Sequence, residues 1–201
     1  QTCALLILLP NALNDVAYSV ELKASDAENG ALTYSLAPGS SSLPAGFTLS
    51  EQGVLSGTSN QSISMIFTAR VTDPTGFFTD RAFTLPTTIA SSCKAIKEAS
   101  PNTPSGQYRL QSSTGSPTTY TVYCDMQTDG GGWLLVLNYL HKGGTNPAVN
   151  ARTTSFPLLG NDSLGIDESA NQSTWGHAAP TLLKSVNFAE TRFYCKTNLH
   201  N

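Results

Sequence analysis

The stretch Ala17-Tyr18-Ser19-Val20-Glu21-Leu22-Lys23 alternates without a break: Tyr18, Val20 and Leu22 fall on one face, Ser19, Glu21 and Lys23 on the other. A period of two belongs to a β-strand with one face on a core and one in water. Outward from it, short apolar stretches recur every ~8–12 residues between Cys3 and Leu85, the spacing of an antiparallel β-sandwich. The expected strands are Ala4–Leu9, Ala17–Lys23, Leu32–Leu36, Phe47–Leu49, Val54–Leu55, Ile63–Thr72 and Thr79–Leu85. Asn29-Gly30, Pro38-Gly39, Pro44-Ala45-Gly46 and Pro74-Thr75-Gly76 supply the turns between them.

Composition agrees. Charged residues make up only 12% of the 201 residues, against about 25% in ordinary soluble domains. Ser, Thr, Gly and Pro fill the gap, which favours short strands and turns over long helices. A net charge of −3 offers no basic footprint for nucleic acid, so no nucleic-acid partner is expected. No apolar run reaches the length of a membrane span.

Cys3, Cys93, Cys124 and Cys195 are too widely spaced for a zinc or redox CxxC pattern. An even number at such spacing fits disulfides and an oxidising compartment. Asn60-Gln61-Ser62, Asn161-Asp162-Ser163 and Asn171-Gln172-Ser173 are N-glycosylation sequons. Ser40–Ser42, Ser112–Thr114 and Thr118–Thr119 could carry O-linked sugars. The chain opens at Gln1 rather than Met, the opening expected of a processed secreted protein. An extracellular location follows from these signals together.

Ala24-Ser25-Asp26-Ala27-Glu28-Asn29-Gly30 followed by Leu32-Thr33-Tyr34-Ser35-Leu36 resembles the opening of a cadherin-like, or Ig-like, domain. Leu43 to Leu49, Gly53 to Thr58 and Ala69-Arg70-Val71-Thr72-Asp73 continue that resemblance in order. It implies a spacer or adhesion unit. Cadherins hold calcium between domains, and Asp26, Glu28 and Asp73 are the carboxylates that raise the question here. Calcium takes six to eight oxygen ligands, no DxNDN-type linker is present, and turn-forming Asp accounts for the positions without a metal. No cofactor is therefore expected, with calcium kept as the one alternative.

The texture changes after Ile89-Ala90-Ser91-Ser92. Cys93 to Ala99 reads as a short helix stopped by Ser100-Pro101. Gly106–Leu110 and Tyr120–Tyr123 read as strands, and Trp133–Leu137 as a buried one. Gly130-Gly131-Gly132 permits a tight reversal. Ser92 to Lys97, Ser105-Gly106-Gln107-Tyr108 and the block from Tyr123 to Trp133 resemble the opening of the fibrinogen-related domain, which intelectin-type lectins share. The resemblance implies a Cys93–Cys124 disulfide, which would close a loop of about 30 residues and stabilise by roughly 3–4 kcal/mol. In that family the calcium site and the pocket for acetylated sugars lie in the later half. The sequence stops at Asn201, about half way through a domain of the usual size, so it is either a fragment or a shortened module, and lectin activity does not carry over.

The expected architecture is mainly β: an Ig/cadherin-like β-sandwich over residues 1–88, a linker over 89–92, and a truncated fibrinogen-like α+β module over 93–201. Catalysis is not expected. His141, His177 and His200 have no metal-ligand spacing, no Gly-x-Ser-x-Gly elbow occurs, and Asp167-Glu168 reads as a solvated loop pair. His177 beside Trp175 reads as a packed, hydrogen-bonded histidine.

Two functions remain. The first is a glycosylated extracellular structural or adhesive subunit that self-assembles head to tail. The run Ala4, Leu5, Leu6, Ile7, Leu8, Leu9 is apolar throughout and, as a strand, needs cover on both faces. An unfinished second module exposes a sheet edge that such a strand could complete in the next copy, with Cys3 and Cys195 joining copies or closing one internal bridge. The second is a carbohydrate-recognition module of the fibrinogen-related type.

Overall fold

The computed structural model describes residues 4–5, 8–26, 30–112, 117–138, 176–177, 183–184 and 186–193. The N-terminal region contains β1 (Ala4–Leu5), β2 (Ala12–Leu13), β3 (Tyr18–Glu21), β4 (Ala24–Ser25), β5 (Thr33–Leu36), β6 (Phe47–Leu49), β7 (Val54–Gly57), β8 (Ser64–Thr72) and β9 (Phe78–Thr88). The helix α1 (Cys93–Ala99) opens the C-terminal region, followed by β10 (Gly106–Gln111), β11 (Thr119–Asp125), β12 (Trp133–Leu134), β13 (Leu137–Asn138) and β14 (Gly176–His177).

Two larger sheets, with the orders β2-β9-β8-β5 and β3-β7-β6, and a two-stranded β1-β4 ladder build the N-terminal region among the described residues; the two larger sheets face each other. They form the layers of a sandwich. The alternation of Tyr18 to Lys23 places Leu22 in the core at 1% exposure while Ser19, Glu21 and Lys23 stay exposed. Leu22, Phe47 and Leu55 meet Phe67, Val71, Phe83 and Leu85 in one buried cluster. Phe67 and Phe83 stack at its centre, with ring centroids 5.6 Å apart. The long β8–β9 hairpin carries much of this core, pairing Ser64 with Pro86 through to Thr72 with Phe78. Its turn is capped by Asp73, whose Oδ1 accepts the Thr75 and Phe77 amides at 2.8 and 3.0 Å.

In the C-terminal region Ser92 caps α1, its hydroxyl accepting the Ala95 amide at 3.0 Å. The sheet has the order β10-β11-β12, and β10 pairs along its whole length with β11, from Gly106 with Cys124 to Gln111 with Thr119. Cys93 and Cys124 form a disulfide that ties the start of α1 to the end of β11. Both cysteines are buried among Ile96, Leu110, Tyr120, Val122 and Met126, with Leu183 and Val186 packed against the cluster.

Three expectations change. Ala4–Leu9 is not one strand covered on both faces: β1 ends at Leu5, Leu8 is 93% exposed and Leu9 is buried. Leu8 and Leu9 lie outside any strand, and Pro10 itself has no amide to donate to a ladder. Leu6 and Ile7 lie outside the described residues. Trp133–Leu137 is not one buried strand either. It breaks after Leu134, its side chains are half-buried, and Leu137 is 47% exposed, because β12 is the edge of a three-stranded sheet. The two-residue strands β2 and β4 were not expected, since two residues show no period.

Candidate functional site at the domain junction

The strand β9 ends at Thr88, and two residues later Ala90 forms a parallel bridge to Leu110 of β10. The Gln111 amide donates to the Ala90 carbonyl at 2.9 Å. Beside β9, Ala12 and Leu13 pair in parallel with Thr87 and Thr88, and the Asn14 amide donates to Thr88 O at 2.8 Å. The next residue, Asp15, has φ +63°, a left-handed conformation that Asp and Asn tolerate better than most residues. Its amide donates to Ser59 O at 2.8 Å.

That reversal carries Val16 out of the sandwich and into the core of the C-terminal region. Val16 is 3% exposed and clusters with Ala90, Tyr108 and Leu110; Leu13 packs against the same group. Burying a valine side chain stabilises by roughly 1.5–3 kcal/mol. Arg109 closes the junction from the other side. Its Nε lies 2.6 Å from Asp15 Oδ2, and its Nη2 donates to Asn60 O at 2.8 Å. Both charged side chains are about one-third exposed, so the ion pair is worth at most about 1 kcal/mol. The chemistry here is mechanical: it fixes the two regions on each other.

A second constellation surrounds the glycine block. Asp125 Oδ1 accepts the Gln127 and Thr128 amides at 2.9 and 3.1 Å and the Ser105 hydroxyl at 3.3 Å. Partial burial pushes this carboxyl up, but hydrogen bonds from the Thr128 side chain, the two amides and Ser105 outweigh it and hold the pKa at about 2. Trp133 Nε1 donates to Thr128 O at 2.8 Å across the turn. Gly131 has φ +77°, and a Cβ there would sit 2.1 Å from Met126 O, so this position accepts only glycine. Arg192 pairs with Asp129 on the outside of the block.

Of the residues singled out by sequence, Cys93 and Cys124 are joined. Asn60 is exposed at the junction, and Ser62 of the same sequon accepts Asn14 Nδ2 at 2.9 Å. Cys3, Cys195, Asn161, Asn171, His141, His200, Trp175, Asp167, Glu168 and Glu28 lie outside the described residues. His177 pairs through its backbone with Leu137. Asp26 Oδ2 accepts the Gly30 amide at 3.0 Å. One oxygen each of Asp26 and Asp73 is buried without a partner. Two oxygens fall far short of the calcium shell, and no group of three or more metal-binding side chains occurs among the described residues. Sequence reasoning missed Asp15, Val16 and Arg109. The Asn14-Asp15 pair was the one available signal, as a turn-forming dipeptide.

Residues 6–90 match the family model described as Putative Ig domain. Residues 89–150 match the model of the fibrinogen beta and gamma chains, C-terminal globular domain. The chain is an Ig-like domain followed by a partial fibrinogen C-terminal domain. The junction of the Ig-like and fibrinogen-type domains thus falls at the Ala90 bridge. No curated protein matched the sequence. Among solved structures, the chain is similar to a putative alpha-galactosidase from Bacteroides fragilis, with 14% identity and a TM-score of 0.35. That match covers 45% of this chain and 18% of the galactosidase chain, and a likeness so slight carries no argument. Domains of these two kinds are typical of extracellular proteins, and together they suggest an extracellular adhesive or recognition module. Among the described residues no helix is long and apolar enough to cross a membrane.

Proposed function

We propose that the chain is a non-enzymatic, secreted structural and adhesive subunit whose copies associate head to tail by strand addition. The observation that carries this reading is the flank of β11. β10 covers one side of that strand along most of its length, but on the other side β12 pairs only with Cys124 and Asp125. Among the described residues no strand covers Thr119–Val122 on that flank. An open ladder of this kind is a template for an extended segment from another chain. The donor in this reading is the apolar run from Ala4 to Leu9. Among the described residues its ladder is two residue pairs, Ala4 with Ser25 and Leu5 with Ala24, and in this reading release would also withdraw Leu9 from the sandwich core. Leu8, at 93% exposure, supports the same reading. Head-to-tail contacts extend into filaments where the rotation between copies does not close a ring, and in this reading Asn60, exposed at the junction, carries a glycan.

The test is light scattering of the full chain after size-exclusion chromatography over a range of concentrations, with Leu8→Glu as the variant. Multimers that dissociate in Leu8→Glu support strand addition. A monomer at every concentration overturns it. Gels run with and without reductant, before and after deglycosylation, report Cys3 and Cys195 links and the occupancy of Asn60.

A further inference from the structure

A cleft of about 330 Å³ opens between the two domains. Asp15, Ala17 and Thr58 line it from the Ig-like side, and Ser100, Asn102 and Tyr108 from the fibrinogen-type side. Asn60 stands at its rim. Thr58 and Asn60 are exposed while Ser59 between them is buried, so the two outward side chains fall on one side of the chain. The Asn60 carbonyl is pinned there. It accepts Arg109 Nη2 at 2.8 Å, and Arg109 Nε lies 2.6 Å from the carboxylate of Asp15, itself a lining residue.

The lining suits a neutral, hydroxyl-rich occupant. Arg109 neutralises Asp15, and no Lys, Arg or His lines the cleft. The Ser100 hydroxyl and the Asn102 amide can each donate and accept, and the Ala17 methyl offers apolar wall to the C–H groups of a sugar ring. A cleft this open has little hold on a free sugar. A sugar attached at the rim needs less, because a short tether raises its effective concentration to about the millimolar range.

We propose that the first N-acetylhexosamine of a glycan on Asn60 seats in this cleft and bridges the two domains. The proposal rests on the reading that Asn60 carries a glycan. The seated sugar touches Ala17 on one domain and Asn102 on the other, and so fastens the junction beside Val16 and the Arg109–Asp15 pair. A chain without the sugar keeps those two fastenings and loses the third.

The test compares the native full chain, its glycans trimmed by endoglycosidase to one N-acetylhexosamine, with Asn60→Gln treated alike. Asn60→Gln removes the attachment point and keeps the main-chain carbonyl that Arg109 holds. Peptide mapping by mass spectrometry reads occupancy. Hydrogen exchange reads the junction at the amides of Asp15 and Gln111, which bond to Ser59 O and Ala90 O. Exchange at both should be roughly tenfold faster in Asn60→Gln, while Phe67 to Val71 in β8 stay unchanged. The difference should vanish when both proteins are made without glycans. Nuclear Overhauser contacts should join the acetyl methyl of the Asn60 sugar to Ala17 and to Asn102. An unmodified Asn60 overturns the glycan reading and this inference together. An occupied Asn60 with equal exchange in the two proteins, a difference that persists without glycans, or an acetyl methyl lacking either Overhauser contact overturns the seating alone.

Discussion

Arg109 Nε lies 2.6 Å from Asp15 Oδ2, an ion pair formed across 94 residues of sequence and across the boundary of two domains. The same guanidinium holds Asn60 O, so one side chain fastens two separate loops of the Ig-like domain to β10. With both side chains about one-third exposed, the double-mutant cycle of Arg109→Ala and Asp15→Asn should give a coupling energy of about 0.5–1 kcal/mol that shrinks as salt rises. Denaturant melts of the four proteins at two ionic strengths measure it. A coupling of zero would mean that the pair fixes nothing.

Val16 belongs to the Ig-like domain by sequence and to the fibrinogen-type core by contact. Val16→Ala should therefore cost about 1.5–2 kcal/mol, the transfer term for two methyl-sized groups. Its effect should appear in the wrong domain. Hydrogen exchange should rise at β10 and β11, around Tyr108 and Val122, while Phe67 to Val71 in β8 stay protected. Faster exchange in β8 alone would place Val16 in the sandwich core instead.

Gly57 pairs with Phe47 across β6 and β7, and the backbones meet there closely. A Cβ at Gly57 would lie 2.2 Å from Gly46 O and 2.6 Å from Phe47 Cα. Both obstacles are main chain and cannot rotate away, so Gly57→Ala should destabilise by about 3 kcal/mol. Gly39 is the control. It has φ +78° and open space around its Cβ position, so Gly39→Ala should lose only the conformational term, about 1 kcal/mol. Equal losses at the two positions would refute the steric account.

The sequence disclosed what depends on neighbours in sequence. Tyr18 to Glu21 was legible because half-buried and exposed residues alternate along it. α1 was legible because Ser92 caps it and Pro101 stops it, and Phe47–Leu49 because Gly46 and the bend after Leu49 bound it. The junction was not legible. Whether Val16 is buried is decided by Ala90 and Leu110, and whether Asp15 is paired is decided by Arg109. No local pattern around Asn14 encodes either. Leu8 failed for the opposite reason: its apolar neighbours suggested a covered strand, but Leu8 lies outside any strand and is 93% exposed.

The Asp125 carboxyl makes the fold of the glycine block pH-dependent in a defined direction. Its pKa is held at about 2, below the roughly 3.9 of a free aspartate. A carboxyl depressed on folding stabilises the native state above the unfolded value, and that stabilisation fades as pH falls through the folded value. The native protein should therefore lose stability between about pH 4 and pH 2. Asp125→Ala removes the acceptor for the Gln127 and Thr128 amides, so this variant should start less stable at pH 7 and fall less across the acid window. Tryptophan fluorescence in a Trp175→Phe background, leaving Trp133, whose indole bonds to Thr128 O, reports the block during urea melts at each pH. Parallel pH profiles for the native protein and Asp125→Ala would show that the acid-sensitive stability resides in other carboxylates, with Asp73 and Asp80 next to examine, since hydrogen bonds from Thr75 and Arg70 hold them below the usual range.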